Sequence, residues 1–81
     1  MNMKKELEKL VEDLAAVLGE GVVTHLRSLI HAGEHRVALE EICAYIGEAE
    51  YTMPVKDYER MERLGSELRV DPSWWEAIRR S

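Results

Sequence analysis

The sequence predicts an all-α protein: a compact bundle of four main helices plus a short C-terminal helix, in a single domain spanning 1–81. Three observations lead there. Apolar residues recur three and four positions apart in every segment, and no stretch alternates as a half-buried strand would. Leu, Ala, Glu and Arg, which enter helices at little cost, dominate, while Phe is absent and there are only 2 Pro. Finally, Gly19, Gly21, Gly33 and Pro54 fall between the periodic segments. A chain of 81 residues can bury one small core, and 46% hydrophobic with 33% charged residues is a globular rather than a disordered balance.

The first helical pattern runs from about Asn2 to Leu18, with Met3, Leu7, Leu10, Val11, Leu14, Val17 and Leu18 on one arc. Gly19 and Gly21 are expected to end it by supplying backbone conformations with positive φ. A shorter pattern, Val22 to about Ala32, carries Val22, Val23, Leu26, Leu29 and Ile30 inward and stops at Gly33. The central helix begins just after Gly33. Its apolar arc comprises Ala38, Leu39, Ile42, Cys43, Tyr45, Ile46 and Ala49, so it is expected to sit at the middle of the core. Tyr51 to Val55 reads as an extended connection, with Met53 and Val55 pointing inward and Pro54 keeping Met53 out of the helical region. The fourth helix spans about Lys56 or Asp57 to Arg69, with Tyr58, Met61, Leu64, Gly65 and Leu68 inside; Gly65 on that face implies a close approach by another element. Asp71 as N-cap and Pro72 at the first helical position open a last helix to about Arg80. There Trp74 shares a face with Ile78, four residues on, and is expected in the core, with Trp75 at the rim.

The formal net charge is -5, which disfavours direct binding of nucleic acid and favours a cationic partner. The single Cys43 forms no internal disulfide and, lying on the apolar arc, is expected to pack rather than react. Residues Met1 to Glu6 lack the apolar run of a signal peptide, and no segment is long enough to span a bilayer, so no membrane association and a cytoplasmic location are expected. No phosphate-binding loop and no nucleophile paired with a base is present, and the chain is read as a non-enzyme without cofactor. His25, His31 and His35 with Cys43 match no standard zinc spacing, and Gly33 separates His31 from His35, so no metal site is expected. Glu40 and Glu41 point about 100° apart on a helix and do not form an acid/base dyad. Trp74 and Trp75 lack the basic groove of a base-stacking platform and are read as packing residues.

What remains is the placement of charge. On the central helix Glu34, Glu41 and Glu48 align at heptad spacing beside Tyr45, opposite the apolar arc, and Glu50 and Tyr51 adjoin them in the following loop. Aligned carboxylates with an aromatic anchor suit a basic protein surface; the plain alternative is a solvated face.

Leu29-Ile30-His31-Ala32-Gly33-Glu34, Ala38-Leu39-Glu40-Glu41-Ile42-Cys43, Glu48, Met53-Pro54-Val55, Tyr58, Leu64 and Asp71-Pro72-Ser73-Trp74-Trp75 together resemble the MafI-like immunity proteins. These are small helical proteins encoded beside polymorphic or contact-dependent bacterial toxins. The resemblance spans about Leu26 to Ile78 and departs at Lys56, where the family often has Ser or a similar cap. It implies an immunity protein that neutralises a cognate toxin domain, often a nuclease, by tight binding. Such proteins diversify with their toxins, so the resemblance assigns no contact residue; Glu34, Glu41, Tyr45, Glu48, Glu50 and Tyr51 are nominated by charge and helical spacing alone. A nuclease carries a basic cleft, and an acidic helix face is complementary to it. The other class compatible with the sequence is a small helical adaptor or regulator binding a basic protein partner.

Overall fold

The computed structural model describes residues 2–81 and contains α1 (Met3–Asp13), α2 (Ala15–Leu18), α3 (Glu20–His31), α4 (His35–Glu48), α5 (Val55–Glu67) and α6 (Ser73–Glu76). It is all-α: among the described residues the only strand-like feature is an isolated parallel bridge between Met53 and Arg80. Among the described residues, no helix is long and apolar enough to cross a membrane.

α4 lies at the centre because its sequence leaves it no alternative. Ala38, Leu39, Ile42, Cys43 and Ile46 occupy one continuous arc and are each no more than 1% exposed. Covering so wide an arc takes several neighbours, and α4 packs against each of α1, α2, α3, α5 and α6. Leu7, Leu10, Val11 and Leu14 from the first segment, Leu26 and Ile30 from α3, and Met61 and Leu64 from α5 complete a core in which no polar or charged residue is buried. Tyr45 and Ala49, expected on the arc, lie at its margin: Tyr45 is half-buried, and Ala49 is exposed at the helix C-cap.

The helix ends are set by local chemistry. Asn2 Oδ1 accepts from the Lys5 N–H at 3.2 Å, capping α1. The predicted first helix is divided at Leu14, whose backbone (φ -99°, ψ 6°) leaves helical geometry while its side chain stays in the core. Gly19 takes a positive φ of 88° between α2 and α3, whereas Gly21 lies inside α3 and does not, contrary to expectation. α3, α4 and α5 then end in the same way. In each, the N–H two residues past the C-cap reaches back to a carbonyl five positions earlier: Glu34 to Leu29 at 2.9 Å, Tyr51 to Ile46 at 3.4 Å and Val70 to Gly65 at 2.9 Å. The residue between is left-handed in every case: Gly33 (φ 83°), Glu50 (φ 52°) and Arg69 (φ 59°). This is the Schellman arrangement, which satisfies carbonyls that a helix end would leave open.

The C-terminal segment corrects two expectations. Trp75, not Trp74, enters the core, at 3% exposed against 41%. α6 ends at Glu76, so Ile78 lies beyond it and the four-residue relation to Trp74 does not exist. Trp75 goes inward because Gly65 leaves it room: a Cβ on Gly65 would lie 2.3 Å from Trp75 Cζ3. The close approach implied by Gly65 is thus made by an indole ring rather than by another helix backbone. Val55, expected to point inward, is 45% exposed. It is the first residue of α5 and shares a line with Glu59 and Glu62, also exposed. Met53 is fully buried as expected, and its backbone clasps the tail: Met53 N–H donates to the Arg79 carbonyl at 2.8 Å and its carbonyl accepts from Ser81 N–H at 3.0 Å. The Arg80 guanidinium lies 4.7 Å from the centroid of the Tyr58 ring, and the Tyr58 hydroxyl donates to the Trp75 carbonyl at 3.3 Å.

Two glycines therefore predict opposite outcomes. Gly65→Ala forces the methyl into Trp75 and should destabilise the fold by about 1–3 kcal/mol, as overpacked cores do. Gly47→Ala, in α4 with no atom within 4 Å of the added Cβ, should stabilise it by up to about 1 kcal/mol. Urea denaturation of both variants beside the parent checks the pair of signs.

Candidate functional site

The solvent-facing strip of α4 follows from the burial of its other side. Val37, Ala44 and Glu48 are exposed, Glu40 and Glu41 half-buried beside them, and the spacing from Val37 through Glu41 and Ala44 to Glu48 places these residues along one line. From Val37 to Val55 the chain contains Glu40, Glu41, Glu48 and Glu50 and no Lys or Arg. Three acids of α1 and α5 are paired with arginine: Arg60 Nη2 holds Asp13 of α1 at 2.7 Å and Asp57 of its own helix at 3.3 Å, and Arg63 Nη2 holds Glu6 at 3.1 Å, so Asp13 and Glu6 join α1 to α5.

The six nominated residues do not form a single row. Glu34 is exposed but outside α4: it is the N-cap (φ -83°, ψ 60°), so a helical wheel does not apply to it. Its backbone serves two helices, closing the end of α3 and accepting from Ala38 N–H at 2.9 Å. Glu41 is 33% exposed, and its Oε1 lies 2.7 Å from Nε2 of His25 on α3. No sequence pattern signals that pair, because a contact between neighbouring helices sixteen residues apart leaves no periodic trace. It fixes the Glu41 carboxylate in one orientation, although an exposed pair of this kind adds only about 0.2–1 kcal/mol. Tyr45 is half-buried one turn further along α4, and Glu48 is exposed at the last turn. Glu50 is exposed in the left-handed position that ends α4, with Oε2 3.9 Å from Arg79 Nη2, and the adjoining Tyr51 is half-buried. Glu41, Tyr45 and Glu48 thus share the helix, Glu50 and Tyr51 continue from its C-terminal end, and Glu34 lies at the opposite end.

The groups weighed for chemistry are placed as follows. His31 lies in the last turn of α3 and His35 opens α4, with the left-handed Gly33 between them. Among the described residues, no group of three or more His, Cys, Asp and Glu side chains is arranged to hold a metal ion. Cys43 is 1% exposed and its Sγ lies 3.6 Å from Met61 Sδ. Burial, aided by the charge of Glu40 and opposed by a backbone hydrogen bond, pushes its thiol up to about 12. Asp71 accepts from the Ser73 N–H at 2.9 Å, which holds its carboxyl below the ordinary value and makes it the cap of α6 expected from the sequence.

No protein-family model matches the chain, and neither a curated protein nor a solved structure matches it.

Two measurements follow. Glu50 is non-glycine in a left-handed conformation, which costs about 1 kcal/mol; Glu50→Gly should therefore raise the urea midpoint even though it removes a side chain from the candidate face. For Cys43 the folded thiol titrates above the unfolded one. Its contribution to stability is complete below pH 9.0 and is lost as pH rises from there towards about 12. Stability measured from pH 8 upwards should fall more steeply for the parent than for Cys43→Ala.

Proposed function

We propose that this protein is an immunity protein, binding and neutralising a basic toxin domain, of which a nuclease is the foremost candidate, through α4 and the turn that follows it. One observation carries the reading: the solvent-facing strip of α4 and its C-terminal turn hold Glu40, Glu41, Glu48 and Glu50 with no Lys or Arg from Val37 to Val55. The residue pattern resembling MafI-like immunity proteins supports it independently of charge. Carboxylates at such a face steer a basic partner during encounter and accept charge-assisted hydrogen bonds once docked. Val37, Ala44 and the half-buried Tyr45 supply apolar and aromatic surface between them. The bond from His25 orients Glu41 before the partner arrives, which lowers the entropy lost on binding.

The test is co-expression with the product of the adjacent gene, followed by co-purification and surface plasmon resonance. Glu41→Lys and Glu48→Lys should weaken binding by about 2 kcal/mol or more, near thirtyfold, if the carboxylates are desolvated against cations. Tyr45→Ala should weaken it comparably, and the parent's association rate should fall as salt rises, since exposed charges are screened beyond about 10 Å at 0.1 M. Growth distinguishes the two functional classes. An immunity protein restores growth to cells expressing the toxin domain, whereas an adaptor or regulator binds a basic protein without rescue. Folded variants that bind like the parent, at a rate indifferent to salt, would leave α4 as solvated surface only.

A further inference from the structure

One carboxylate of the α4 strip has a titratable partner. Nε2 of His25, on α3, lies 2.7 Å from Glu41 Oε1 across the seam between the two helices. A carboxylate only accepts hydrogen bonds, so Nε2 carries a proton and donates it. A second proton, taken from water, goes to Nδ1 on the far side of the ring. Protonation therefore adds a positive charge beside Glu41 and keeps the bond that orients it. Histidine is the side chain that changes charge between about pH 5 and 8, and the His25 side chain is 49% exposed, so water reaches it.

The surroundings leave Glu41 as the charge that His25 answers to. α3 packs against α1, α2 and α4. α2, Ala-Ala-Val-Leu, has no ionisable side chain. α1 meets α3 on another side, where Glu8 lines an open groove with Thr24, Arg27, Ser28 and His31. On α4 itself Glu40 points about 100° away from Glu41, and Tyr45 and Glu48 lie further along the helix. Among the described residues Glu41 is the one ionic partner of His25, and His31 and His35 have none.

Glu41 is 33% exposed and only its Oε1 is engaged, so Oε2 is open to a second donor. With His25 neutral, that carboxylate is held in place and keeps its full charge. With His25 protonated, the charge is cancelled at 2.7 Å, and a cation brought to Oε2 meets a like charge a few ångströms away. Salt does little to relieve this, because screening acts over about 8 Å at physiological ionic strength.

We infer that His25 is a pH-sensitive switch on the α4 strip: neutral, it presents Glu41 to the basic partner, and protonated, it takes the place of that partner's cation. The inference rests on the reading of the chain as a binder of a basic protein, and it adds the condition under which that partner is held.

Two substitutions fix the two states. His25→Gln keeps a neutral N–H donor, and His25→Lys carries a permanent cation; both fall on exposed surface. The probe is octalysine, whose charge is the same at about pH 7.5 and about pH 5.5, titrated into the isotope-labelled full chain. Amide shifts of Glu41, Ala44, Tyr45 and Glu48 report its binding. For the parent, the dissociation constant should rise about tenfold from the higher pH to the lower. His25→Gln should bind like the parent at the higher pH and lose most of that rise. His25→Lys should bind at both pH values as weakly as the parent does in acid. His31→Gln should behave as the parent does, since His31 faces no carboxylate of α4. In the free chain, the Glu41 carboxyl carbon should shift through the same midpoint as the His25 ring, and the shift should vanish in His25→Gln. An equal rise in the parent and His25→Gln, tight binding by His25→Lys at the higher pH, or a Glu41 carbon indifferent to His25 would each overturn the switch. Octalysine bound along α4 with one affinity at both pH values retains the acidic face and rejects the switch. No shift along α4 at either pH rejects both.

Discussion

Burial of one broad face of α4 is the constraint from which the rest of this structure follows. Ala38, Leu39, Ile42, Cys43 and Ile46 need apolar partners over an arc of about 140° of α4, and the five other helices provide them. Packing the ridges of one helix into the grooves of another needs close-fitting surfaces, and the core is built accordingly, with Cys43 against Met61 and with Trp75 seated in the gap at Gly65. Arg36 at the start of α4 donates from Nε to the Leu68 carbonyl at 3.3 Å, tying it to the end of α5. What α4 has left for any other purpose is its exposed and half-buried outer face and its two ends.

That remainder explains the distribution of charge. Arg60 and Arg63 of α5 hold Asp13 and Glu6 of α1, an arrangement that keeps two helices in register at modest energetic gain. On α4 and its following turn, Glu41 pairs with His25 of a neighbouring helix and Glu50 with Arg79 of the tail. A helix whose inward face is wholly committed to packing can change its outward face with little consequence for the fold. Stability and surface charge are thereby carried by different residues of the same element.

Much of the fold was legible because the signals were periodic and local. The arc of α4, the inner face of α5 and the Asp71 cap can each be read within a dozen residues. Periodicity misleads where it is carried past the end of an element: helical spacing pairs Trp74 with Ile78, but the helix ends at Glu76, and it aligns Glu34 with Glu41, although Glu34 precedes α4. Val55 reads as part of a loop but opens α5 on its exposed side. The left-handed conformations of Glu50 and Arg69 were hidden because the familiar sign of such a turn is glycine, present only at Gly33. Glu41 lies on α4 as its spacing implies, but its bond to His25 depends on how separate helices meet, which no single segment encodes.

The three matching helix ends bear on how the molecule reaches its final form. Each reversal is closed by hydrogen bonds spanning five residues, from Leu29 to Glu34, Ile46 to Tyr51 and Gly65 to Val70. The corners of the path can therefore form in each neighbourhood independently, before the core has assembled. Chains dominated by such short-range closures search little and typically fold in microseconds to milliseconds. The clasp between Met53 and the tail is the contrasting case, a pairing that must wait for α5 and α6 to be in place. The exposed strip of α4 is therefore in place once the bundle closes, and only the Met53 segment waits for the tail.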